Sequence, residues 1–227
     1  MKKYLVFTIL VILLSLCVQT KQNTLQSVKE NFQKIDKLRV EEYSLKIMEC
    51  NVNYTFKLDI INNKTIIRFK GLNSNCDDYV YVRLNEALKD AVIVDDGEYY
   101  YLYMPRISDY VTKHRVQNSI VRYKGLPIIT ISEVVRTFDR AENVVYIGKE
   151  NLIVNGSQVD TDVFKYNITD PLLDRVNVKV YIYENLPVKA IFNISKYNAK
   201  IVTALIKYEF GRAEDFDLSK YEIVERI

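Results

Sequence analysis

The spacing of apolar residues changes three times along the chain. Behind Lys2 and Lys3, Tyr4–Leu16 is an uncharged run of thirteen residues. A bilayer-spanning helix needs about 20 apolar residues. A basic start followed by about 7–15 apolar residues has the form of a secretory leader. The chain turns polar directly after Val18. Leu25, Val28, Phe32 and Ile35 then recur at helical spacing, with Asn23 or Thr24 available as a cap. An amphipathic stripe of this kind has to lie against something.

After Lys37 the period falls to two. Tyr43, Leu45 and Ile47 share one strand face, and Tyr54, Phe56, Leu58 and Ile60 another. Asn62-Asn63 is a turn, with Thr65–Lys70 as the returning strand. Asn73–Asp78 is a second turn, followed by a strand over Tyr79–Leu84. Ala91–Val94 and Tyr99–Met104 flank Asp96-Gly97, a favoured hairpin pair. Lys124-Gly125-Leu126-Pro127 breaks the pattern, and Ile131–Phe138 is predicted as a short helix capped by Ser132. Strands resume at Val144–Ile147, Leu152–Val154 and Val159–Ile168, the last two joined by Asn155-Gly156. In the C-terminal third, Val176, Val178, Val180 and Ile182 share a face. Val188, Ala190, Phe192 and Ile194 do so next, then Val202, Ala204, Ile206, Tyr208 and Phe210. The expected fold is mainly β with α: a large antiparallel sheet curled around helices. A closed barrel would leave the helices without a sheet face to cover.

Charge and cysteines then narrow the setting. Without Lys2 and Lys3 the chain has 30 basic against 29 acidic side chains. That near balance excludes a basic nucleic-acid binder. About 205 residues beyond the leader suffice for one core, so residues 1–20 are read as leader or anchor and 21–227 as a single domain. Leu14-Ser15-Leu16-Cys17 has the shape of a lipobox, whose cysteine receives a lipid, although Leu16 stands where a small residue is expected. Lipidation at Cys17, cleavage near Thr20 and retention as a short anchor all fit. Cys50 and Cys76 remain, and in an oxidising compartment their default reading is one disulfide. Closing a loop of about 25 residues, it would add roughly 3 kcal/mol on the chain-entropy account.

The segment Val94-Asp95-Asp96-Gly97-Glu98-Tyr99-Tyr100-Tyr101-Leu102-Tyr103-Met104-Pro105 resembles a hairpin of the LolA/LolB-type lipoprotein carriers and their lipid-binding relatives. Tyr101 stands where that family often has Trp, and Tyr103 matches its Tyr. Gly148-Lys149-Glu150 through Asn155-Gly156, and then Leu186-Pro187, are similar to later landmarks in the same order. The resemblance implies an incomplete barrel: a strongly curved antiparallel sheet covered by one long N-terminal helix and one or more short helices. It also implies an apolar cavity between sheet and helices that takes acyl chains. Leu25, Val28, Phe32 and Ile35 are its candidate lining from the helix side, and Tyr101 and Tyr103 from the sheet side. Departures are the lack of Trp, the Cys50/Cys76 pair and an N-terminus that could tether a protein of a shuttling family.

Catalytic patterns are missing. One histidine, His114, cannot build a His-ligated metal cluster, and no GxSxG, HExxH or Gly-rich phosphate loop occurs. Asp77-Asp78 and Asp95-Asp96 are explained by turn chemistry. His114, between Lys113 and Arg115, is expected at an exposed strand end. Five Asn-x-Ser/Thr sequons, at Asn53, Asn63, Asn155, Asn167 and Asn193, are candidate glycosylation sites. The resulting expectation is a non-enzymatic, extracytoplasmic monomer without cofactor or metal. It binds a lipid or an acylated protein and meets the membrane through its N-terminus. The alternative is a surface scaffold of the same fold with no ligand.

Overall fold

The computed structural model describes residues 24–48, 52–73, 86–124, 126 and 128–226. Cys17, Cys50, Cys76, the leader and the strand expected at Tyr79–Leu84 lie outside them. Helix α1 occupies 24–33, ten described residues where a long helix was expected. It ends because the amides of Lys34 and Ile35 turn back onto the carbonyls of Asn31 and Phe32, at 3.2 and 3.1 Å, which tightens the last turn. Asp36 then bends the chain and strand β1 begins at Lys37.

Among the described residues twelve strands form one open, curved sheet. They are β1 (Lys37–Ile47), β2 (Val52–Ile61), β3 (Lys64–Asn73), β4 (Val92–Asp95), β5 (Tyr99–Tyr103) and β6 (Val111–Arg115). After the helices come β7 (Glu142–Val154), β8 (Ser157–Asp170), β9 (Asp174–Tyr183), β10 (Leu186–Ile194), β11 (Ala199–Phe210) and β12 (Ile223–Glu225). The order across the sheet is β12-β6-β5-β4-β3-β2-β1-β11-β10-β9-β8-β7. Two meanders are thus joined where β1 pairs antiparallel with β11.

One face carries the main core. In β2 it presents Val52, Tyr54, Phe56, Leu58 and Ile60, and in β9 Val176, Val178, Val180 and Ile182, all buried. In β1 the pairing shifts between Val40 and Tyr43. That irregularity puts Leu38 and Val40 on the same side as Tyr43 and Leu45, and all four are buried. The expected face of β11 is corrected. Ile201, Thr203 and Leu205 are the buried set, while Val202, Ala204 and Ile206 are half-buried on the reverse. The strand is apolar on both sides, so alternation alone gives no unique phase.

A cover lies over this face. It consists of the segment 116–130, helix α2 (Ile131–Arg136) and the 3-10 turn Thr137–Arg140. Thr130, not Ser132, caps α2, in a capping box with Glu133. Ile120, Tyr123, Ile128, Ile129, Val134, Val135 and Phe138 are buried beneath the cover. The Tyr43 hydroxyl donates to the Ile129 carbonyl at 3.2 Å, and Phe138 meets Tyr166 edge-on at 6.1 Å.

The reverse of β2–β6 has a cover of its own, the C-terminal segment 211–226. Ile66, Val92 and Val94 form a second apolar cluster there, packed by Tyr101, Tyr103, Phe216 and Leu218. Asp59, almost fully buried, takes ion pairs from Arg39 and Arg68 and accepts the Glu214 amide at 3.1 Å. The segment then runs into β12, which adds parallel to β6. At the far side the long β7–β8 hairpin reaches back across the sheet. The Asn155 amide donates to the Ile206 carbonyl at 2.9 Å, and its side-chain oxygen accepts the Tyr208 amide at 2.8 Å.

Candidate functional site

Helix α1 seats Leu25 and Val28 completely, each 1% exposed, whereas Phe32 and Ile35 are half-buried at the edge of the main core. Beside Phe32 is a cleft of about 220 Å³ lined by Phe32, Gln33, Ile60, Asn63, Ser132 and Arg136. The expected wide cavity between helices and sheet is not what the described residues form there. Tyr123, Ile128, Ile129, Val134 and Phe138 occupy that space, each no more than 4% exposed.

Tyr101 and Tyr103 need a correction. They belong to the second cluster, on the reverse face, and Tyr103 lies 4.6 Å from Tyr221 and 5.9 Å from Phe216 between ring centroids. Strand parity gives the reason: the residue turned toward the cover is Tyr100, which meets the Tyr123 ring edge-on at 5.3 Å. The two tyrosines do act as a pair opposed to Tyr100, but away from α1.

A polar network unforeseen in the sequence sits inside the cover. Asp95, at the end of β4, is 1% exposed. It accepts from Arg122 at 3.0 and 3.2 Å, from the Tyr123 hydroxyl at 3.1 Å and from the Gly97 amide at 2.8 Å. The turn role read for Asp95 holds through Gly97, and the ion pair is additional. Glu133, also 1% exposed, accepts the Thr130 amide at 2.8 Å, the Thr130 hydroxyl, and Arg136 at 3.0 Å. Burial, with Glu133 and then Asp95 adding to it, pushes the Tyr123 phenol well above its ordinary value. The one legible signal for this network was the Thr130-x-x-Glu133 capping box.

A second cleft, of about 200 Å³, opens from this network. Arg122, Arg136 and Arg140 line it together with Asn118, Ser119, Ile120, Glu133 and Asp139. Behind it Asp170 accepts the Ser119 hydroxyl and the Ile120 amide, both at 2.8 Å, and the amides of Leu172 and Leu173. Lys29 of α1 pairs with Asp139 at 2.5 Å, so the helix is fastened to the rim of this cleft. Arg136 lines both clefts.

His114 is not at an exposed end. Its ring stacks on Tyr100 at 4.9 Å and its Nε2 lies 3.0 Å from the Thr112 hydroxyl. Burial, and then the charges of Arg226 and Lys124, lower its pKa. Asn53 is half-buried and its side-chain oxygen accepts from Ser44, while Asn63 is exposed in the β2–β3 turn. Asn167 and Asn193 flank Asn177 across β8, β9 and β10, in a groove of about 470 Å³ on the reverse face. Among the described residues no cluster of three His, Cys, Asp or Glu is placed to hold a metal, and no helix is long and apolar enough to cross a membrane.

No family model and no curated protein matches the sequence. Solved structures do resemble the fold. An uncharacterized conserved protein from Thermus thermophilus is 8% identical, with a TM-score of 0.52 over 91% of this chain and 99% of that one. At this identity the likeness concerns the fold alone. A DUF1329 family protein from Desulfovibrio piger is also 8% identical, at a TM-score of 0.47 over 87% of this chain and 95% of that one. A domain from Vibrio parahaemolyticus, described as an outer membrane lipoprotein-sorting protein domain, is 11% identical, at 0.46 over 88% and 96%.

Proposed function

We propose that the chain is an extracytoplasmic, monomeric binding protein for a lipid or a lipid-modified protein, taken up at the seam between α1 and the sheet. The observation that carries this reading is the uneven seating of α1. Leu25 and Val28 are fully buried, while Phe32 and Ile35 are half-covered, Phe32 beside the cleft at Ile60. An acyl chain entering there would complete the burial, gaining about 0.8 kcal/mol per CH₂. The cleft is smaller than the roughly 300–1,000 Å³ usual for ligand pockets, so uptake requires α1 to lift. The leader-like residues 1–20 support export, with Cys17 as the lipid-anchor candidate and Cys50–Cys76 as a disulfide. Asn63, Asn155 and Asn193 are exposed, and because the Asn155 side chain accepts the Tyr208 amide, glycans would sit with least hindrance on Asn63 and Asn193.

Native mass spectrometry of the purified protein, before and after organic extraction, tests the reading; a co-purifying lipid is expected. Phe32→Ala should cost about 1–2 kcal/mol, below the roughly 3–5 kcal/mol of a fully buried Phe, and weaken binding of a fluorescent fatty acid. The scaffold reading is favoured by the side chains that fill the space beneath the cover. It takes over if no lipid is carried and Phe32→Ala has the full core cost.

A further inference from the structure

Arg136 stands at the junction of two clefts. On one side are Phe32 and Ile60; on the other are Arg122, Arg140 and Ser119. Of the acidic groups nearby, Asp139 on the rim pairs with Lys29, and Glu133 and Asp170 are well supplied with donors. Glu133 is held by Thr130 and Arg136, and Asp170 by a hydroxyl and three backbone amides. The guanidiniums are less engaged. Arg136 makes its hydrogen bond through one terminal nitrogen and is 37% exposed. Arg140, 33% exposed, stays 3.8 Å from Asp170, beyond hydrogen-bond distance. A guanidinium offers several N–H donors in a planar fork suited to carboxylate or phosphate oxygens. Two such forks with spare donors therefore face a cleft whose neighbour offers the side chains of Phe32 and Ile60 among polar ones.

Building on the binding reading above, we infer that the ligand is an anionic amphiphile. Its oxyanion headgroup lies between Arg136 and Arg140, and its chain lies along Phe32 and Ile60. The shared chemistry is the oxyanion, carboxylate or phosphate. Lys29, paired with Asp139 on the rim, would couple headgroup entry to the lifting of α1.

The test is calorimetric titration of the purified full-length chain with dodecyl phosphate, laurate, dodecyl maltoside and inorganic phosphate, each below its micelle concentration where it has one. At least one of the two anionic amphiphiles should bind tenfold or more tighter than the maltoside, and which one identifies the headgroup. Arg140→Gln should remove most of that advantage, and the double variant Arg136→Gln/Arg140→Gln all of it, with the maltoside affinity kept. Equal affinity for charged and neutral amphiphiles overturns this inference and leaves the binding reading standing. An advantage that survives in the double variant also overturns it, as does inorganic phosphate binding as tightly as dodecyl phosphate. If none of the amphiphiles binds, the binding reading falls, and this inference with it.

Discussion

Each face of the sheet carries a cover, the reverse one over β2–β6, and both covers are fastened by a buried aspartate between two arginines. On the core face Asp95 holds Arg122 at 3.0 Å, with Arg136 at 3.9 Å. On the reverse Asp59 holds Arg39 and Arg68 and also accepts the amide of Glu214. The clasps differ in what lies beyond them. Arg39 and Arg68 turn their remaining donors to the C-terminal segment, reaching the Glu214 side chain and the carbonyls of Glu214 and Asp215. Arg136 turns toward open clefts. The reverse clasp completes a structural joint, whereas the one on the core face leaves binding capacity over.

Asp95→Ala should produce the larger loss. It leaves Arg122, only 11% exposed, with Glu133 at 3.6 Å and the Gly97 carbonyl alone, and leaves the Tyr123 hydroxyl without its partner. Breaking one side of a buried pair costs about 3–5 kcal/mol, readable as a lower urea midpoint at unchanged slope. Asp59→Ala should cost less, about 2 kcal/mol, because Arg39 and Arg68 are each 21% exposed and water can replace part of the lost partner. Limited proteolysis should then cut between 211 and 222 first. Equal losses for the two variants would mean that the faces are clasped alike.

The smallest expected effect concerns His114, also on the core face. Its folded pKa is depressed, so the unfolded chain takes up the proton first. Stability is therefore full above about pH 6.5 and declines as the pH falls through the lowered folded value. As the chain has one histidine, a single imidazole resonance in the proton NMR spectrum reports it. A midpoint at or above 6.5 would contradict the stacked, half-buried placement on Tyr100.

The same contrast explains how far the fold was legible in the sequence. In β8 and β9 the reverse face carries Lys165, Asn167, Asn177 and Lys179, exposed or half-buried, so alternation marks those strands clearly. In β3–β5 the reverse face is apolar too, because the C-terminal segment covers it. Ile66, Val92, Val94, Tyr101 and Tyr103 are covered there, so no polar side remained to give the phase. Tyr101 and Tyr103 were expected beside α1 on the family resemblance, and alternation offered no polar face to correct it. The same cause obscured β11, where Val202 and Ala204 rival Ile201 and Leu205. β6 escaped notice because Val111–Arg115 is short and mostly polar, and β12 because Ile223–Glu225 is only three residues long. The α1 stripe was readable from Leu25 and Val28. The arginine cleft was not: Asp95, Arg122 and Arg136 are drawn from three separated segments, and only folding brings them together.

The pairing of β1 with β11 has a consequence for how the chain comes to be folded. Leu38 pairs with Phe210, and Ile47 with Ile201. The strand nearest the start of the described chain therefore has one neighbour, β2, close at hand and another that follows far later in the sequence. Until then β1 presents an unpaired edge, and contacts of such long sequence separation form slowly. A chain threaded N-terminus first through a membrane would emerge as an unfinished half-sheet. It would lock into one piece only once residue 210 had followed, so the timing of release, rather than local propensity, would set when the protein becomes native.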